Sequence, residues 1–334
     1  MPIRRSTLAG YLSMLLVTAV SVSLAVLNAG PVALSAPPFV IFAVSLAFLG
    51  FVARPLHLVF TRHPKPFLQL REDVRSNVDW FVGFFVMLVA LPLLFDSVTR
   101  MKQSIPAMQP FYADPFLIDL DHTLLAGNDA WELTHAVFGD WATRGIDMIY
   151  AGWLFVQVAL TVLLALSRNP DFRIRVGLSM QLAWLLMGAG LAVTFASVGP
   201  CFVDDFYGSD RFATLMTRLD GYGSLVALDA MEYLLSVQGQ MAIGGGISAM
   251  PSLHVGIAVL IWLCLRKYWP RWQYLGWAYV AAIYIGSIHL GWHYATDGLV
   301  SAAGMVLIWW AVGRYCRWLE SFDRDAEQAA GAVA

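Results

Sequence analysis

The chain has 334 residues, of which 59% are hydrophobic and 13% charged, with a net charge of -2 and a mean hydropathy of +0.64. So little charge excludes a soluble globular domain and a nucleic-acid-binding protein, and marks a polytopic membrane protein. The three cysteines, Cys201, Cys264 and Cys316, are too few for a disulfide framework and have no metal-type spacing.

Arg4 and Arg5 open an apolar run over 7–28. It is longer than the apolar part of a signal peptide, and a second run over 32–52 follows at once, so the pair predicts a helical hairpin. Six more runs, 80–94, 146–167, 176–198, 253–265, 274–289 and 299–315, bring the predicted spans to eight in an all-helical integral membrane protein. With the N-terminus placed in the cytoplasm, sixteen Lys and Arg residues fall on that side and five, Arg100, Lys102, Arg144, Arg211 and Arg218, on the other. That asymmetry follows the positive-inside rule. It predicts a multi-pass cell-membrane protein with both termini cytoplasmic and the 254 and 293 regions at the outer, periplasmic or lumenal, face.

Two outer segments carry more than loop character. Residues 113–142 interleave apolar and acidic side chains at helical spacing, which predicts amphipathic helices on the membrane surface or over a site mouth. Residues 199–246 mix small residues with Asp204, Asp205, Asp210, Arg211, Arg218 and Asp220, a candidate lid or head-group pocket. The acidic, alanine-rich tail after Leu319 reads as a frayed end.

Two stretches at the ends of apolar runs concentrate ionisable groups: Ser248-Ala-Met-Pro-Ser-Leu-His254 and Ser287-Ile-His-Leu-Gly-Trp-His293-Tyr-Ala-Thr-Asp297. Such groups are expensive near a membrane interior and point to function. In the first, Gly244 to Gly246 lead into a helix start with Pro251 in its first turn, where free N–H groups and the positive end of the dipole favour an anion. In the second, His289, His293 and Asp297 are four apart. A break near Gly291 would keep only the last two aligned, and a carboxylate one turn from an imidazole fixes its tautomer and orientation.

Pro251-Ser252-Leu253-His254 followed by Gly291-Trp-His293-Tyr-Ala-Thr-Asp297 resembles the second and third signature motifs of the type 2 phosphatidic acid phosphatase superfamily. The likeness is nearest to the inositol phosphorylceramide synthase-like branch of lipid phosphotransferases, and covers roughly the C-terminal two thirds of the chain. The resemblance implies His293 as nucleophile through a phosphohistidine, Asp297 as its orienter and His254 as acid and then base. It implies a six-helix catalytic membrane core over 77–318, preceded by the hairpin and a basic cytoplasmic loop over 1–76 and followed by a cytoplasmic tail over 319–334.

Two departures bear on the substrate. The family's arginine six residues before the nucleophile is Ser287 here, and its first motif, a lysine followed seven residues later by Arg-Pro, is not found; Arg54-Pro55 lies on the wrong side. A phosphodiester with one charge needs fewer cations than a monoester dianion, which favours head-group transfer between a phospholipid donor and a lipid or water acceptor, sphingolipids included. Lipid phosphate or diphosphate hydrolysis is the alternative. Candidate substrate-binding residues are Ser252, Ser248, Ser287, His289 and Arg211, His289 reading equally as a packing or supporting histidine. No metal and no other cofactor is expected; a metal site on His254, His289, His293 and Asp297 and a proton-linked transporter are the weaker rivals. Seven histidines are few for a di-iron oxygenase, and the spans carry too few polar residues for a transport path.

Overall fold

The structure, a computed structural model, describes residues 3–30, 38–242 and 244–333, and no strand occurs among them. Helices α1 (Arg5–Ala29), α2 (Pro38–Phe60), α3 (Pro66–Ser76) and α4 (Val78–Gln103) come first. An outer layer follows: α5 (Asp114–Leu124), α6 (Ala130–Val137) and α7 (Asp140–Ala151). Helices α8 (Trp153–Leu166) and α9 (Pro170–Leu182) return through the bundle, α9 running on into a π-helical segment, Ala183–Leu191. After short helical turns between 200 and 221 and helix α10 (Val226–Ser236), the bundle closes with α11 (Leu253–Tyr268), α12 (Gln273–His289) and α13 (Ala295–Val333).

Five helical segments are long and apolar enough to cross a membrane: Arg5–Ala29, Val78–Gln103, Asp140–Leu166, Pro170–Thr194 and Ala295–Arg324. The protein is a multi-pass membrane protein. Among the described residues these five support a multi-pass bundle, and the expected count of eight is not confirmed. Helices form at the sixth and seventh predicted runs, but α11 has 16 residues and α12 has 17. At about 1.5 Å per residue these two helices are short or borderline for a hydrocarbon core about 30 Å thick. The predicted start of the second span, from 32 onward, lies outside the described residues up to Pro38.

The helix directions alternate, so two ends can be told apart. At one, Ser6 meets Asp323, the Trp80 indole donates to Leu166 O at 3.1 Å, and Asp171 accepts from Lys267 at 3.0 Å and from the Tyr268 hydroxyl at 2.7 Å. The arginines of α9 belong to this half; Arg173 is 1% exposed and donates to the Tyr11 hydroxyl at 2.8 Å and to Leu164 O at 3.2 Å. Gly83 makes that approach possible, because a Cβ there would overlap both the Arg173 guanidinium and the Tyr11 phenol. Helix α1 therefore packs into the bundle against α4, α9 and α13.

At the other end the loops interlock. Ala249 N–H donates to Ser197 O at 3.0 Å, Met250 N–H to Ser197 Oγ at 3.0 Å, and Cys201 N–H to Gly291 O at 2.9 Å. Gly199 sits at φ +90°, and a Cβ on it would stand 2.5 Å from Trp292 O. Gly199→Ala combines a left-handed backbone with that overlap, so a loss of about 1–3 kcal/mol is expected. Thermal unfolding of the detergent-solubilised protein should show it as a lower midpoint, and activity should fall with it because the displaced segment carries His293.

Candidate active site

Ser252 begins α11: its backbone is extended and its Oγ accepts the N–H of Val255 at 3.5 Å, while Ser301 Oγ donates to its carbonyl at 2.6 Å. This places His254 in the first turn. Its ring lies between two aromatics, stacked on Tyr150 at 4.7 Å and 20° and tilted against Trp153 at 4.2 Å. The Trp153 indole also donates to His254 O at 3.1 Å, so α7 and α8 fix the histidine from the side.

Helix α12 stops at His289, and Gly291 at φ +76° turns the chain toward α13. His293 lies in that turn, outside the spanning helices, and its Nδ1 meets Asp297 Oδ2 at 3.2 Å. The same oxygen accepts Tyr294 N–H at 3.0 Å, so the carboxylate is fixed by the first turn of the helix that carries it. Burial, with the Lys102 ammonium adding to it, holds His293 below the ordinary histidine range. With Nδ1 engaged by Asp297, the His293 ring also has a hydrogen bond to the Ala249 backbone. The His254 and His293 centroids are 6.2 Å apart.

Both histidines line a cavity of about 430 Å³ together with Lys102, Tyr150, Trp153, Ser248 and Trp292, and with apolar side chains from α8, α10 and the π-helical segment. Its walls are largely hydrocarbon, suited to an acyl-bearing substrate. Of the five cations expected on the outer side, Lys102 lines the cavity, and no ion pair holds it among the described residues. Lys102 is followed seven residues later by Gln109-Pro110. That spacing does not complete the first motif, since glutamine stands where the resembled pattern carries arginine. The Gln109 side chain donates to Val193 O.

The other sequence candidates divide. Ser248 lines the cavity, and Ser252 beside it serves the helix start. Ser287 is fully buried, its Oγ donating to Tyr284 O at 2.8 Å and its carbonyl accepting His293 N–H at 3.0 Å, so it shapes the turn rather than the cavity wall. His289 is also away from that wall; its two ring nitrogens meet Thr143 Oγ1 at 3.0 Å and Thr134 Oγ1 at 3.2 Å, and it stacks on His135 at 3.8 Å. Arg211 is spent on Asp129 at 2.8 Å, which places it outside the cavity lining.

Three buried carboxylates were not singled out in the sequence, and they organise the site. Asp114 accepts the N–H groups of Val198 and Gly199 and the hydroxyls of Tyr207 and Tyr294, each at 2.9 Å. Asp121 accepts from Ala295 N–H and Thr296 N–H, which caps α13 directly behind His293. Asp147 accepts from Val226 N–H at 2.8 Å and Ala227 N–H at 2.9 Å and so caps α10. Asp114 and Asp121 of α5 thus face inward, while Asp119 on the same helix is exposed. Their signal was available, since Asp114, Leu117 and Asp121 share one helical stripe and all three are buried.

No curated protein and no solved structure matches the chain. A family profile does match, over residues 116–311, a stretch that contains His254, His293 and Asp297 and most of the cavity wall. By that match the chain belongs to the PAP2 superfamily.

Proposed function

We propose that the protein is a lipid phosphotransferase that moves a phospho-head group between lipids through a phosphohistidine, resembling inositol phosphorylceramide synthase. Membership of the superfamily supports phosphatase or phosphotransferase chemistry. The observation that carries the finer reading is the cavity itself, where two imidazoles face each other 6.2 Å apart, one held by a buried carboxylate, under one lysine and mostly apolar walls.

In this reading His293 Nε2 attacks phosphorus while Asp297 holds Nδ1–H and stabilises the developing imidazolium. The ester P–O bond breaks, and His254 donates its proton to the departing oxygen. His254 then takes the proton of the acceptor hydroxyl, whose oxygen attacks phosphorus and breaks the N–P bond. Lys102 and the first N–H groups of α11 carry the phosphoryl charge. One cation suits a singly charged phosphodiester better than a dianion. The basic half of the bundle, with Arg4, Arg173, Arg175, Arg266 and Lys267, is opposite the cavity, which supports cytoplasmic termini and an outer active site.

The test is purified protein in nanodiscs with chelator present, given phospholipids labelled with 32P in the head group and unlabelled ceramide or diacylglycerol. A new labelled lipid is the expected result. A water-soluble phospho-head group as the sole labelled product would make the enzyme a hydrolase with the same histidines, and activity lost with chelator would overturn the metal-free mechanism.

A further inference from the structure

Tyr150 stands out among the residues around the cavity. It is the last residue but one of α7, is 6% exposed, and its hydroxyl has no hydrogen-bond partner. The ring explains itself by stacking on His254, but phenylalanine would stack as well. A buried hydroxyl with nothing to bind costs free energy and demands an account. The ring is also pinned from behind, because a Cβ at Gly286 would stand 3.1 Å from Tyr150 Cδ2.

The neighbouring groups show where a partner is missing. Asp147, in the same wall and on the same helix, gives both oxygens to Val226 and Ala227. The Trp292 indole N–H, also in the wall, is buried without a partner. Tyr150, Trp292 and Lys102 thus all line the cavity around two histidines, and the two neutral donors in its wall are buried without a partner. No arginine is among its lining residues.

We infer that the Tyr150 hydroxyl donates a hydrogen bond to a non-bridging oxygen of the phosphoryl group, sharing with Trp292 Nε1 and Lys102 the work that an arginine would do. This rests on the phosphotransferase reading above. The bond strengthens as charge gathers on that oxygen in the transition state, so it acts on turnover more than on binding of the lipid tails. It places Tyr150 in contact with substrate while its ring holds the acid His254.

The experiment compares wild type, Tyr150→Phe and His293→Ala in nanodiscs, using bis(p-nitrophenyl) phosphate as the diester probe and orthovanadate as the phosphoryl mimic. Tyr150→Phe keeps the stack on His254 and removes only the hydroxyl. A fall in kcat of about 10- to 100-fold with KM little changed, weaker vanadate inhibition and an unlowered Tm are expected. Turnover and vanadate inhibition equal to wild type would overturn the inference while the His293-dependent activity of wild type stood. A lowered Tm would give the hydroxyl a structural partner and overturn it as well. If wild type neither turns over the diester nor responds to vanadate, the phosphotransferase reading falls, and the role of Tyr150 with it.

Discussion

His293→Ala should abolish phosphoryl transfer, with kcat/KM lower by about 10⁴-fold or more. The reason is positional as well as chemical. His293 is 7% exposed and stands in a turn fixed by Gly291, by its own N–H on Ser287 O and by Asp297 on Nδ1, so no neighbouring group can take its place at phosphorus. The direct check is a rapid quench of wild type with 32P-labelled donor lipid, expected to leave label on the protein that is acid-labile and base-stable. His293→Ala should retain none. His254→Ala should be impaired by about 10²- to 10⁴-fold, the range of a lost general acid, yet still accumulate label from a donor whose leaving group needs no proton. Label held equally by wild type and His293→Ala would refute the covalent mechanism.

Much of this arrangement was legible in the sequence because it is local. The spacing of His293 and Asp297, the proline and serine before His254 and the glycine that ends α12 each act within a turn or two, and the backbone follows them. The reach of Lys102 was not legible, since it depends on α4 delivering a side chain beside loops more than a hundred residues away. Exact helix ends were harder to read: the runs at α11 and α12 are apolar throughout, but capping at Ser252 and turns at Trp269 and Leu290 limit them to 16 and 17 residues. The sequence left α5 open between the membrane surface and the site mouth, because an inward acid and an outward one look alike until the donors that Asp114 and Asp121 meet, from 198 to 296, are brought together.

The largest stability effect should come from one of those acids. Asp114 is fully buried and accepts four hydrogen bonds, two from the backbone of the segment before Cys201 and two from phenols. Through Tyr294 it braces the residue next to His293, the proposed nucleophile, and through Gly199 it braces the loop packed on Trp292. Asp114→Ala would leave all four donors without an acceptor, and at the values typical of a broken buried network the loss is about 3–5 kcal/mol. Asp114→Asn can still accept through its carbonyl oxygen but turns an NH₂ group toward other donors, so it should lose nearly as much. Tyr294→Phe removes a single donor and leaves three partners in place, so it should cost about 1 kcal/mol. Thermal unfolding with tryptophan fluorescence would rank the three. Equal, small losses would mean that the network adjusts around Asp114 and that His293 is held by Asp121 and Asp297 alone. The expected order, both Asp114 variants far below Tyr294→Phe, would make this acid the brace that joins the outer helices to the catalytic turn.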